Sequence, residues 1–327
     1  MRWQFALHSW WLFKHTTAKS ARHLPVIHQR PQRVSIQARV IANLRSSVAV
    51  QLDGDDIVSP GITQAYPLRN LPLLVAGDLV LCEYDGDVYR VVQLLPRANV
   101  LERADRRTVK PLAANLTHLG IVSASPPGID TLLIDQFCLA AHRAGVGALV
   151  IINKWDLLSE AERPRYEEIL QVYRSVGYTA VAIDTKGDKG MQPLLRELKG
   201  RAFALVGASG VGKSSIIQKL LPDRELRVGA VSQATGFGSH TTSVTFWYEL
   251  PEGGAIIDSP GVRQYSVSHL SADIVRSGYH ELARAAESCR FGNCTHTVEP
   301  GCAVRDGLAD GSIAPWRYAN YRKLSGC

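Results

Sequence analysis

A multidomain α/β protein is predicted for this chain, on three observations. Short alternating strands fill residues 34–95, strands and helices alternate from residue 118, and three cysteines crowd around a histidine near the C-terminus. The first pattern marks a small β-barrel. The second marks a parallel sheet whose functional loops gather at the carboxyl ends of the strands. The third marks a metal site and not a disulfide framework in a chain of this length. With 327 residues, 46% apolar and 20% charged, there is material for two or three domains with buried cores, and global disorder is excluded. No apolar run long enough to span a bilayer occurs, so no membrane partner is expected.

The net charge is +7, a modest basic surplus that favours an anionic partner. It is concentrated at the N-terminus, where residues 1–52 hold no Asp or Glu but carry Arg2, Lys14, Lys19, Arg22, Arg30, Arg33, Arg39 and Arg45. Residues 1–33 read as a basic extension, expected to be disordered and able to assist RNA binding. "FALHSWWLF" is broken by His8 and lacks a small-residue cleavage site, which argues against a secretory signal. An organelle transit peptide shares the acid-free composition, so an organelle matrix stands as the alternative to a reducing, cytoplasmic location.

Residues 34–96 form the predicted barrel. "VSIQARVIA" and "SSVAVQL" alternate, and "GDLVLCEYDGDVYRVVQLLP" is a hairpin turning at Asp85-Gly86. An OB-fold is the leading topology, with an SH3-like barrel the alternative. Residues 97–117, "RANVLERADRRTVKPLAANLT", are basic and are expected to be an irregular linker. The sheet domain, 118–265, begins with the buried strand "HLGIVSA" and the helix "TLLIDQFCLAAHRAG", stopped by Gly145. "GALVIIN" is the next strand. The helix "SEAERPRYEEILQVYRSVG" takes Ser159 as its cap, with Glu162 three residues on. "TAVAID", "MQPLLREL" and "AFALVG" continue the alternation.

Gly207-Ala208-Ser209-Gly210-Val211-Gly212-Lys213-Ser214-Ser215 is a phosphate loop in its confirming context, after an apolar strand and opening the helix "KSSIIQKLL". Its N–H groups cradle phosphates at a helix N-terminus. Lys213 reaches the β- and γ-phosphates, and Ser214 ligates Mg²⁺. Asn153-Lys154-Trp155-Asp156 ends the strand "ALVIIN". There the Asp156 carboxylate can accept both N1–H and N2–H of guanine, a donor pair that adenine lacks. Asp258-Ser259-Pro260-Gly261 follows "GGAIID", placing a carboxylate for the Mg²⁺ shell and a glycine N–H for the γ-phosphate. "GFGSHTTS" lies between, and one of Thr241 and Thr242 is expected to close over Mg²⁺ and the γ-phosphate. The order is base reader, phosphate loop, switch one, switch two. In a Ras-like GTPase the base reader comes last. Joining close termini and cutting elsewhere preserves such a site, because its geometry belongs to the sheet and not to chain order. A circularly permuted P-loop GTPase domain results.

Cys289-x₄-Cys294-x-His296-x₅-Cys302 supplies three thiolates and an imidazole, a tetrahedral Zn²⁺ set with no open position, hence one structural ion. In residues 266–327 such a metal is expected to take the place of a hydrophobic core and to peg the second switch. Arg290, Arg305, Arg317, Arg322 and Lys323 give it basic surroundings that could face a nucleic acid.

With these motifs the chain closely resembles the RsgA (YjeQ) family of circularly permuted GTPases, over roughly residues 34–322. "HTT", "DSPGVR" and "YHELARAAESCRFGNCTH" carry the likeness alongside the permuted order. The resemblance implies an OB barrel, a permuted GTPase domain and a helical zinc-binding domain. It also implies hydrolysis of GTP to GDP and phosphate, stimulated by the small ribosomal subunit and its rRNA, in late maturation of that subunit. A monomer is expected. Val262 stands where Ras-like enzymes carry a water-orienting Gln, and the resemblance assigns that work to His240. "IDTKGDKG" at 183–190 departs from the usual base loop, which leaves guanine contacts from Thr185 and Lys186 open. Two other functions use the same motifs: a non-catalytic, nucleotide-switched rRNA-binding module, and a nucleotide kinase, against which "NKWD" and the metal cluster argue.

Overall fold

The computed structural model describes residues 34–53, 61–105, 108–187, 189–223, 231, 235, 244–258 and 271–326. The basic extension and its expected disorder lie outside these residues. Five strands close a barrel: β1 (Ser35–Asn43), β2 (Val48–Leu52), β3 (Ile62–Pro67), β4 (Leu79–Tyr84) and β5 (Tyr89–Leu94). β1 pairs with both β2 and β4, and β3 lies parallel to β5, so the order β1-β2-β3-β5-β4 returns to β1. That closure leaves no free edge. Val40, Val48, Val50, Ala65, Val80 and Val91 fill the interior. The predicted hairpin turn is held by Asp85, whose Oδ1 accepts the Val88 N–H (3.1 Å) and whose Oδ2 accepts from Arg90 (2.5 Å). These bonds hold its carboxyl at about 2, below the ordinary range.

Residues 97–117 are not an irregular linker. β6 (Val100–Asp105) and β7 (Thr108–Ala114) form an antiparallel pair, bulged between Leu101 and Glu102. Leu101 and Ala113 are buried in the main core. Pro111 argues against a strand in the sequence, yet it stands beside the bulge, where the register shifts between Leu101–Ala113 and Glu102–Pro111 and a strand tolerates proline.

The second half is the expected α/β sheet. Its strands are β8 (His118–Ala124), β9 (Gly147–Asn153), β10 (Thr179–Ala182), β11 (Ala202–Val206), β12 (Phe246–Glu249) and β13 (Ala255–Asp258), in the order β10-β9-β8-β11-β13-β12. All neighbours are parallel except β12–β13. The carboxyl ends of β8, β9, β11 and β13 therefore share one edge. α1 (Thr131–Ala144) ends at Gly145 with φ 67°, the left-handed stop that glycine adopts without strain. Ser159 and Glu162 do pair, with Glu162 Oε2 accepting from the Ser159 N–H (3.0 Å) and hydroxyl (2.6 Å). The regular helix, however, is α2 (Arg163–Ser175), which starts after them with Pro164 in its first turn. α3 (Gln192–Leu198) and α4 (Lys213–Leu220) complete the layer. Alternate residues of the central strands feed two cores, Ile121, Val150 and Ile152 on one face and Val122, Leu149 and Ile151 on the other.

The barrel and the sheet are spliced: β1 pairs antiparallel with edge strand β12 at Ala42 and Phe246. Trp247 on β12 is buried under the Arg39 guanidinium, 4.5 Å from the ring centroid. A Cβ at Gly77 would strike the Ala114 carbonyl at 2.1 Å and the Trp247 ring at 3.0 Å, so this junction requires glycine.

The C-terminal region comprises α5 (Ala272–Gly278), α6 (His280–Ala286), α7 (Ala303–Ala309) and α8 (Pro315–Ser325). It does not depend on a metal in place of a core. Val275, Tyr279, Leu282, Val304, Ile313 and Tyr321 are buried together with Leu139 of α1. Arg317 is not part of a basic surface either, being 1% exposed. It donates to Asp135 of α1 (2.5 Å) and, through Nε, to Glu281 (2.7 Å), while Tyr173, Tyr279 and Asn320 also donate to Asp135. The pairing compensates charges that burial alone would make costly.

Candidate functional site

The phosphate loop runs from fully buried β11 into α4. Gly207, Gly210 and Gly212 have φ of 139°, 80° and 96°. At Gly207 a side chain is also sterically impossible, because its Cβ would lie 2.1 Å from the Val122 carbonyl oxygen on β8. Lys213 is buried, and its ammonium donates to the carbonyls of Gly207 (2.7 Å) and Ala208 (2.5 Å). Ser214 and Ser215 lie exposed in the first turn of α4.

The base reader meets this loop directly. Asn153, at the end of β9, is buried, and its Nδ2 donates to the Val211 carbonyl at 2.9 Å. A Cβ at Gly212 would stand 2.2 Å from that nitrogen, so the glycine makes room for the bond. Asn153 Oδ1 is buried with no hydrogen-bond partner, an unmet acceptor facing this junction. Lys154 takes a left-handed conformation (φ 60°) and donates to the Pro126 carbonyl at 3.0 Å. Asp156 follows in a short 3₁₀ turn, Trp155–Leu157. Asp258 ends β13, buried, beside β11. Asn153, Lys154, Asp156, the phosphate loop and Asp258 thus stand on the shared carboxyl edge of the sheet. His240, Thr241, Thr242, Gly261 and Val262 lie outside the described residues.

The metal-ligand atoms of Cys289, Cys294, His296 and Cys302 all lie within 4.8 Å of one another. The Cys289 and Cys302 sulfurs are 3.9 Å apart, and they stand 3.6 and 3.5 Å from His296 Nδ1. A tetrahedral ion with Zn–S and Zn–N bonds of ordinary length spaces sulfurs about 3.8 Å apart and sulfur from nitrogen about 3.5 Å. The residues fit such an ion. Burial lowers the His296 pKa, favouring the neutral, ligating imidazole. The loop is built around Glu299, whose carboxylate accepts the N–H groups of Thr295, Thr297 and Val298 and is held well below the usual range by the Thr295 bonds. Cys82 and Cys138 are apart from this group; burial in apolar cores pushes the Cys82 thiol up to about 12 and raises that of Cys138, leaving both inert.

Sequence reasoning missed the Asp135–Arg317–Glu281 network and strand β12. An acid on the apolar face of "TLLIDQFCLAAHRA" signals the first, since a buried carboxylate demands a partner. The aromatic run "FWYE" before "PEGG" signals the second.

A phosphate loop on the central strand, a base reader two strands away that precedes it in the chain, and a carboxylate on the adjoining strand define a circularly permuted P-loop GTPase. The sequence pattern of the RsgA GTPase family matches residues 94–268. The small ribosomal subunit biogenesis GTPase RsgA of Ectopseudomonas mendocina (strain ymp) is 42% identical over 289 residues, covering 87% of this chain and 83% of that protein. The protein of the same name from Pseudomonas fluorescens (strain SBW25) is 38% identical over 288 residues, with the same coverage. The chain belongs to the RsgA GTPase family. Its fold is shared by YjeQ from Thermotoga maritima, with a TM-score of 0.71 at 23% identity over 89% of this chain and 98% of that one. YloQ, described as a circularly permuted GTPase, also gives 0.71, at 20% identity over 94% and 97%.

Proposed function

We propose that this chain hydrolyses GTP to GDP and phosphate in late maturation of the small ribosomal subunit, stimulated by the subunit and its rRNA. The observation that carries the reading is the Asn153–Val211 bond, which joins base reader and phosphate loop in one site. Its relatives' name, small ribosomal subunit biogenesis GTPase, supports the task. In this reading Asp156 accepts guanine N1–H and N2–H, Lys213 and the loop N–H groups hold the phosphates, and Ser214 and Asp258 serve Mg²⁺, which would neutralise charge on the β- and γ-oxygens. Thr241 or Thr242 and the Gly261 N–H close on the γ-phosphate, and His240 orients the attacking water. Zn²⁺ occupies the Cys₃His cluster as a structural ion. The protein acts as a monomer in a reducing, cytoplasmic setting, where the three thiols remain available to the metal. The β1–β12 splice offers a route from subunit contacts on the barrel to the switches, because β12 pairs both with β1 of the barrel and with β13, which ends at Asp258.

Turnover with and without purified small subunits tests the reading: several-fold or greater stimulation is expected, and its absence removes the proposal in favour of a non-catalytic rRNA-binding module. His240→Ala should leave GTP affinity nearly intact and lower stimulated turnover by about 10²-fold or more, the scale of general acid–base or water-positioning groups. Equal loss of affinity would make His240 a binding residue. Asp156→Asn should weaken GTP and GDP alike, since both carry the base, and by about 10-fold or more for a lost charge-assisted pair. Displacement titration reads this directly, and unchanged GDP affinity contradicts the assignment.

A further inference from the structure

Asp156 is not alone at its end of the site. The Lys186 ammonium stands 2.8 Å from Asp156 Oδ2. Lys186 does not reach it from a loose tether. The Trp155 N–H donates to the Ile183 carbonyl (3.1 Å), which binds the base-reading turn to the start of the Lys186 loop. Asp184 Oδ1 accepts the Gly187 N–H at 3.0 Å, and the Asp184 N–H meets the Gly190 carbonyl at 3.3 Å, so the loop folds back on itself. A Cβ at Gly190 would stand 2.3 Å from the Asp184 carboxylate, so a larger residue there would displace that side chain. The loop is therefore built to present the lysine beside Asp156.

We propose that Lys186 is a specificity-determining residue of the base subsite, donating to the O6 oxygen of guanine while remaining on Asp156. This rests on the guanine-binding reading above. The hydrogen-bonding edge of guanine presents N2–H, N1–H and O6 in sequence. A carboxylate accepts the first two, one on each oxygen, and leaves the O6 acceptor unread. Oδ2 has lone pairs for both an N1–H and an ammonium, and the ammonium has three donors, of which Asp156 needs one. With N1–H on Oδ2, the neighbouring Lys186 falls next to O6. Adenine places an amino group at that point, so the same ammonium faces a donor, and the wrong base is rejected by an unpaired contact as well as by loss of the right one.

Equilibrium binding to the full-length protein tests this with four probes: GDP, inosine diphosphate, ADP and 2-aminopurine riboside diphosphate. The first two carry O6; ADP has an amino group in its place, and the 2-aminopurine nucleotide lacks both O6 and N1–H. Lys186→Met should lose about 3–10-fold in affinity for GDP and for inosine diphosphate, the scale of a charge-assisted hydrogen bond discounted for a side chain that is 71% exposed. The 2-aminopurine nucleotide should bind the variant and the parent equally, ADP should not weaken, and Lys186→Arg should retain most of the GDP affinity. An unchanged GDP affinity in Lys186→Met overturns the proposal. A tighter one does so too, showing that the lysine merely competes with the base for Asp156. If the parent protein fails to prefer GDP over ADP, the guanine reading itself falls, an outcome visible before any variant is made.

Discussion

Lys213→Ala should reduce GTP turnover by about 10²–10³-fold, the loss that follows removal of one preorganised group facing developing charge. The lysine is buried at the base of the phosphate loop, and its ammonium is already held by the Gly207 and Ala208 carbonyls at 2.7 and 2.5 Å. It need not be collected from solvent when nucleotide arrives; it has only to exchange loop carbonyls for phosphate oxygens, and its position is set by α4 and β11. The loss should appear in single-turnover measurements at saturating GTP, with and without small subunits. Thermal unfolding of the variant should stay close to that of the parent, because the loop conformation is dictated by its glycines and by the Asn153–Val211 bond. Turnover within tenfold of the parent would show that Lys213 is a loop-bracing residue.

Metal removal and loss of the buried arginine should have separable effects on the C-terminal region. Apparent binding of a structural zinc in small peptides is worth about 10–16 kcal/mol, so Cys294→Ser or chelation should release the segment from Cys289 to Cys302. That segment has few other internal supports, chiefly the Glu299 bonds and the Tyr318 hydroxyl, which donates to the His296 carbonyl at 2.5 Å. The helices should hold, because Val275, Tyr279, Leu282, Val304 and Tyr321 retain their own core and Arg317 still bridges to α1. Arg317→Met should do the reverse: it keeps the metal ligands but leaves Asp135 buried without its cation, at a cost of about 3–5 kcal/mol. Elemental analysis should give one equivalent of zinc in the parent and in Arg317→Met, and none in Cys294→Ser. Hydrogen exchange should rise in residues 289–302 of the cysteine variant and across α5–α8 of the arginine variant. GDP affinity should change little in either, since Asn153, Asp156 and the phosphate loop belong neither to the metal-ligand cluster nor to the Asp135–Arg317–Glu281 network. A metal-free parent, or exchange that spreads over all four helices after metal loss alone, would contradict this division.

What could be read from the chain alone was local chemistry with a steric cause. The phosphate loop is legible because glycine adopts the positive φ values at 207, 210 and 212 with least strain, and because a lysine and serine must follow at the helix start. Cys289, Cys294, His296 and Cys302 are legible because all four ligands fall within one short stretch and so can enclose one ion. Gly145 marks the end of α1 for a similarly local reason. The barrel strands and the alternation of the α/β sheet follow from apolar periodicity, since burial on one face or two writes itself into consecutive residues.

The tertiary structure decided what depends on residues far apart in the chain. β6 and β7 look like a basic linker until Leu101 and Ala113 are seen buried in the main core, with Pro111 placed beside the bulge of the pair. Arg317 looks like one more surface cation; it is buried against an aspartate 182 positions earlier, and no window of sequence contains both. The bond from Asn153 to Val211 spans 58 positions and makes two separate motifs one site. Lys186 gains its partner Asp156 only because β9 and β10 lie side by side and deliver their loops to the same edge. Motifs can be spelled locally because they answer to backbone sterics and ligand geometry, whereas pairing across the fold is set by strand order and helix docking, which the sheet alone brings about.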